Sequence, residues 1–143
     1  MGVNSLKSIK DIEVRYSETD QMGVVYHSNY LIWMEIGRTN FIKDSGFNMM
    51  DFERKGFLFP VYEMDIKFMS PARYDENIHV ETSIHKLSKV KMIYEQRIFN
   101  DKNEEKTRAF VTIVCVTKKD FKIVRFDKEM KEFYNKCLSS LEK

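Results

Sequence analysis

Asp20 is the residue in this chain whose neighbours best equip it for chemistry. A short apolar strand ends at Tyr16, a polar loop carries the Asp20 carboxylate, Gly23 lets the chain turn, and the Ser28-Asn29 pair opens an amphipathic helix. That order sets an acid near a helix N-terminus, where backbone N–H groups lack intrahelical partners and carry partial positive charge. Such groups suit an anion, or an oxygen that becomes anionic during a reaction. Acid and donors together make half of an active site. The competing reading is that Asp20 caps a turn through its own side chain, the usual work of Asp in loops.

The elements that must position these groups follow from periodicity. Ile9, Ile12, Val14 and Tyr16 mark a first strand over 9–16, alternating from Ile12 onward. Tyr30, Trp33, Met34, Gly37 and Phe41 fall at i, i+3, i+4, i+7 and i+11, one apolar face of a helix over about 29–45, with Gly46 as its stop. Gly37 on that face costs helix propensity, and its use is the close approach of a sheet or partner helix. Strands are then expected over 58–70, 77–88, 91–99 and 106–117, with Asn100 to Glu105 a hairpin loop and His79 and His85 on a polar strand face. A short last strand, Phe121 to Phe126, precedes a terminal helix capped by Asp127. Strand, long helix, antiparallel strands and terminal helix in that order define an α+β fold, in which a curved antiparallel sheet wraps the long helix.

Length and composition bound the function. The 143 residues suffice for one domain with its own core, burying about 65–70% of the unfolded surface. A net charge of +2 is too weak a balance to argue for nucleic acid. Basic residues gather after residue 84 (Lys86, Lys89, Lys91, Arg97, Lys118, Lys119, Lys122, Arg125), as a solvated face or as a surface for a phosphorylated ligand or acidic partner. Met1 to Lys10 has no apolar run of signal-peptide length, and no stretch approaches the ~20 apolar residues of a membrane helix, so a cytosolic protein without a membrane span is expected. Cys115 and Cys137 read as buried thiols, away from metal-ligand spacing.

The segment Tyr16-Ser17-Glu18-Thr19-Asp20-Gln21-Met22-Gly23-Val24-Val25-Tyr26-His27-Ser28-Asn29-Tyr30, with Trp33, Glu35 and Arg38 following, resembles the signature of hotdog-fold acyl-CoA thioesterases of the 4-hydroxybenzoyl-CoA thioesterase type. The pattern Asp-x-x-Gly-x-x-Tyr-His-x-x-Tyr joined to the helix carries it over about residues 13–42, and strand order, including Ser70-Pro71-Ala72-Arg73, extends it over most of the chain. The resemblance implies a single hotdog domain over 1–143, with Asp20 as the catalytic carboxylate. Either the carboxylate attacks the thioester carbonyl or it deprotonates a water that does. The resemblance further implies the backbone N–H around His27 as oxyanion donor, the His27 side chain more suited to orienting the loop or a water. Gly23, Tyr26 and Asn29 are candidate substrate-binding residues, Asn29 and Ser28 also reading as caps and Tyr30 and Trp33 as core. Glu35 and Arg38 are expected to pair with each other. Lys89, Lys91 and Arg125 are candidates for the coenzyme A phosphates.

No metal or organic cofactor is called for beyond the coenzyme A of the substrate. The expected partner is an acyl-CoA or an acyl carrier protein, and a homodimer or homotetramer is expected because an open sheet leaves an unpaired edge. The rival class, a non-catalytic acyl-binding or lipid-binding module, gains nothing from a desolvated acid beside the acyl carbonyl.

Overall fold

The computed structural model describes residues 6–141, so the reading of Met1 to Lys10 lies partly outside the described residues. Strands β1 (Ser8–Glu13), β3 (Val61–Phe68), β4 (Asn77–Leu87), β5 (Lys91–Asn100) and β6 (Glu105–Val114) form one sheet in the order β1-β4-β5-β6-β3. Every pairing is antiparallel. Helix α1 (Ser28–Asp44) lies against its inner face. A two-stranded ribbon, β2 (Phe57–Leu58) with β7 (Val116–Thr117), and three short helices, α2 (Met49–Arg54), α3 (Phe126–Glu129) and α4 (Lys131–Leu141), close one end. No helix among the described residues is long and apolar enough to cross a membrane.

The expected helical stripe is the buried face of α1, with Tyr30, Trp33, Met34, Gly37 and Phe41 all inside. Alternation along β4 and β5 places Ile78, Val80, Thr82 and Ile84, and Met92, Tyr94, Gln96 and Ile98, on the same buried side. His79 and His85 fall on the outer side, where His79 stacks on Phe99 and His85 packs at a tilt against Phe110. Both cysteines are buried, and burial pushes each thiol up to about 12.

Gly37 is the point of closest approach between helix and sheet. A Cβ built there would lie 2.8 Å from Thr82 Oγ1 and Val80 Cγ1 and 2.9 Å from Gln96 Nε2. Gln96 cannot swing away cheaply, because its amide donates to Met34 O at 2.8 Å and to Thr82 Oγ1 at 2.9 Å. Overpacking of this kind costs about 1–3 kcal/mol, against a helix-propensity gain of at most ~1 kcal/mol. Gly37→Ala should therefore lower the urea midpoint at unchanged m-value, with a net loss of about 1–2 kcal/mol; an equal or higher midpoint would contradict the contact.

Five expectations are corrected by the structure. The first strand ends at Glu13, because Tyr16–Glu18 winds into a 3-10 turn whose Glu18 bonds back to Arg15. Phe121 to Phe126 is not a strand: Thr117 Oγ1 accepts from the N–H of Asp120 and Lys122, Phe121 takes a left-handed φ of +56°, and only an isolated bridge joins Ile123 to Val116. Asp127 does not cap the terminal helix; it lies inside α3, held by both Nε and Nη2 of the capping residue Arg125. Glu35 and Arg38 form no ion pair, since Arg38 turns inward and its Nη1 donates to Gln96 Oε1 at 3.0 Å. The run expected over 58–70 is also broken at Phe59-Pro60, leaving β2 and β3 as separate strands.

Candidate active site

Residues 18–26 fold as a small hairpin against the start of α1. Thr19 bridges Val25, Asp20 N–H donates to Val24 O at 2.9 Å, and Tyr26 N–H donates to Glu18 O at 2.9 Å. Gly23 supplies the turn with φ +80°, a region open to glycine at little cost. A second layer comes from the segment after β3. Val25 N–H donates to Ala72 O at 2.8 Å, Val24 bridges Arg73, and Ala72 N–H donates to the Tyr30 hydroxyl at 3.0 Å.

Glu18 ties this hairpin to the helix. Its carboxylate is buried and accepts from Arg15 N–H at 2.7 Å and from the Trp33 indole N–H at 3.0 Å. Its carbonyl accepts from Asn29 Nδ2 at 2.9 Å as well as from Tyr26. Asn29 thus joins helix to hairpin through its side chain and does not cap the helix; the position before Ser28 is His27, which makes no side-chain cap bond. Residue type alone did not single out Glu18, although its spacing three residues after Arg15 and fifteen before Trp33 is what the fold uses.

Asp20 and the helix start therefore stand on the two arms of one braced hairpin. Asp20 is exposed, and one carboxylate oxygen accepts from Met22 N–H at 2.8 Å. Its other oxygen accepts no hydrogen bond from the described residues. Across the hairpin, the backbone N–H groups of His27 and Ser28 have no acceptor among the described residues, while Asn29 and Tyr30 already bond to Tyr26 O and His27 O. The His27 ring is exposed and lies 4.4 Å from the Tyr26 ring, which is itself half-exposed. Tyr30 is core, edge-on to Trp33 and to Phe68.

The expected phosphate-binding residues lie elsewhere in the chain. Asp20 sits at the end of the sheet marked by Asn77 and Phe68, whereas Lys89 and Lys91 sit at the other end, past Leu87. The eleven residues of β4 separate the two ends, a span of about 35 Å. Lys91 Nζ rests 4.6 Å from the Tyr62 ring centroid, the Lys89 carbonyl accepts from Phe126 N–H, and Arg125 is engaged by Asp127. The chain thus brings together Asp20, Gly23, Tyr26, His27 and Asn29 and leaves Lys89, Lys91 and Arg125 apart.

A long helix laid in an antiparallel sheet, with an acid-bearing loop at the helix start, defines a hotdog-fold hydrolase scaffold. The family model of the thioesterase superfamily matches residues 22–107, and the chain belongs to that family. It is 45% identical over 127 residues to YneP of Bacillus subtilis, provisionally named an acyl-CoA thioesterase, covering 89% of this chain and 92% of that one. It is 31% identical over 105 residues to the acyl-CoA thioester hydrolase YbgC of Escherichia coli, covering 73% and 78%. The crystal structure of a DHNA-CoA thioesterase from Staphylococcus aureus superposes with a TM-score of 0.87 at 35% identity, over 93% of this chain and 91% of that one.

Proposed function

We infer that this protein hydrolyses acyl-CoA thioesters to a free carboxylic acid and coenzyme A. The observation that carries the reading is the hairpin itself, which presents on one arm a carboxylate and at the start of α1 on the other two N–H groups, one carboxylate oxygen and both N–H groups having no partner among the described residues. Asp20 acts as nucleophile or as general base toward water. The N–H groups of His27 and Ser28 receive the carbonyl oxygen as it gains charge; one such donor is typically worth ~3–4 kcal/mol in the transition state. Carboxylate, water and backbone donors suffice for this reaction, so no metal or organic cofactor enters it. Tyr26 borders the acyl group, and Gly23 and Asn29 hold the loop that meets it.

Assembly completes the site. Strand β3 is an edge of the sheet, and Val61, Tyr62, Phe68 and Met69 along or just beyond it are exposed. A free edge with apolar neighbours favours pairing with a second copy. Two-fold antiparallel pairing of β3 with β3 sets Phe68 of one protomer near Val61 of the other, and so carries the partner's Lys91, beside Tyr62, toward the Asp20 end. That arrangement gives Lys91, and with it Lys89 and Arg125, a route to the nucleotide phosphates that a single protomer lacks.

The experiment is thiol release from a panel of aliphatic and aromatic acyl-CoAs, then from acyl carrier proteins, together with light-scattering mass at micromolar concentration. The Staphylococcus aureus neighbour puts an aromatic acyl-CoA on that panel. Saturable release from at least one acyl-CoA by a species of dimer mass or larger is expected. No release from any thioester would reject the activity, and a monomeric mass would reject the shared site.

A further inference from the structure

The hairpin arm opposite Asp20 leans on the segment between β3 and β4, where Val24 bridges Arg73 and Val25 N–H donates to Ala72 O at 2.8 Å. Whatever holds that segment bears on Asp20, because Asp20 N–H donates to Val24 O. The start of the segment is fixed through backbone, with Met69 and Ser70 N–H both donating to Lys106 O. Its last turn is fixed through side chains. Glu76 Oε1 accepts from Arg73 N–H at 2.8 Å, while Glu76 Oε2 accepts from Asn100 Nδ2 at 2.9 Å and lies 3.5 Å from Lys106 Nζ.

Lys106 is the one buried lysine among the described residues, and its charge is met by Glu76 and, at 3.7 Å, by the exposed Glu104. Taking a partner from a buried charge is costly. Asn100 is 1% exposed and fully engaged: its amide nitrogen donates to Glu76 and Glu104, and its oxygen accepts from Lys102 and Glu104 N–H. Burial pushes the Glu76 carboxyl up, but the bonds from Asn100, Arg73 and Lys106 outweigh it and hold the group below the usual carboxylate range. We propose that Glu76 is a positioning residue for the hydrolysis: it locks the turn Arg73–Glu76 onto Asn100 and Lys106 and so fixes, through Ala72 and Arg73, the hairpin arm that Asp20 bonds across to. Its effect on rate rests on the thioesterase reading above; its hold on the hairpin does not.

Glu76→Gln compared with Glu104→Gln tests it. The first turns an amide N–H toward the donors of Asn100 or Arg73, whereas the second also removes a carboxylate from Lys106 but bonds to no residue of the segment. Glu76→Gln should lower kcat about 10-fold and leave KM within about 3-fold, the pattern of displaced reacting groups. It should also speed amide exchange at Asp20 and Val25 at least ~10-fold, as local opening does. Glu104→Gln should leave kcat and both amides near wild type. Should Glu76→Gln not fold, Lys106→Met carries the same expectations. Equal melting temperatures, kcat values and Asp20 and Val25 exchange in the two variants would mean a purely structural role and overturn the proposal. A wild type without hydrolysis would reject the activity, and amide exchange would then decide: unchanged protection of Asp20 and Val25 in Glu76→Gln overturns the anchor.

Discussion

Asp20→Asn is expected to lower acyl-CoA hydrolysis by at least ~100-fold, the usual scale for losing a general base, with fold and assembly retained. The amide is nearly isosteric, and its oxygen can still accept from Met22 N–H as Asp20 Oδ1 does at 2.8 Å. It supplies neither an anionic nucleophile nor an effective base. Because Asp20 is exposed, the change should move stability by no more than about 0.5 kcal/mol. The turn contact is real, so the alternative has its own signature. If capping were the sole task of Asp20, the Asn variant would keep its turnover, and only Asp20→Ala, which deletes the acceptor, would lose about 0.5–2 kcal/mol. Paired melts and hydrolysis rates separate these outcomes, and near-normal turnover by well-folded enzyme would sink the mechanism.

Glu18→Ala should damage both stability and activity, although Glu18 touches no reacting atom. Truncation strands the Trp33 indole N–H in the core and removes the acceptor of Arg15 N–H. A buried donor left unsatisfied costs about 1–3 kcal/mol, and the lost bond to Arg15 brings the expected total to about 2–4 kcal/mol. The same carboxylate fixes the hairpin that carries Asp20 on one arm and runs into His27 from the other, so turnover per folded molecule should fall at least ~10-fold, as misplacement of reacting groups by about 1 Å can cost more than that. The double change Glu18→Ala with Trp33→Phe should cost less than the two single losses combined, since it leaves no orphaned indole. Full turnover in Glu18→Ala, or strict additivity, would show that the anchor does not position the site.

Chemistry-bearing residues were legible in the sequence because they are close along the chain. Asp20, Gly23, Tyr26, His27 and Asn29 fall within ten consecutive positions, and a local hairpin joined to a helix start needs no long-range contact to bring them near each other. The order of strands and the buried face of α1 were legible for a similar reason: periods of two and of about 3.6 are written in the side chains themselves. Short elements were not. Phe121 to Phe126 alternates well enough for a strand, but Thr117 captures two backbone N–H groups of that turn and removes them from any ladder.

Long-range partners belong to the tertiary structure. Helical spacing alone pairs Arg38 with Glu35; Gln96, 58 positions away, claims it instead, because sheet packing at Gly37 draws that side of the helix down onto β5. Only the fold shows that Glu18 reaches Trp33 or that Ala72 meets Tyr30. Lys89, Lys91 and Arg125 are sequence candidates for the coenzyme A phosphates, yet the fold sets them a full strand length from Asp20, where Asp127 engages Arg125. Residue type and local spacing determined which groups can react and which surfaces must be buried. The closing of the sheet decided which distant residues hold those groups in place, since the hydrogen bonds that do so form only between segments far apart in sequence.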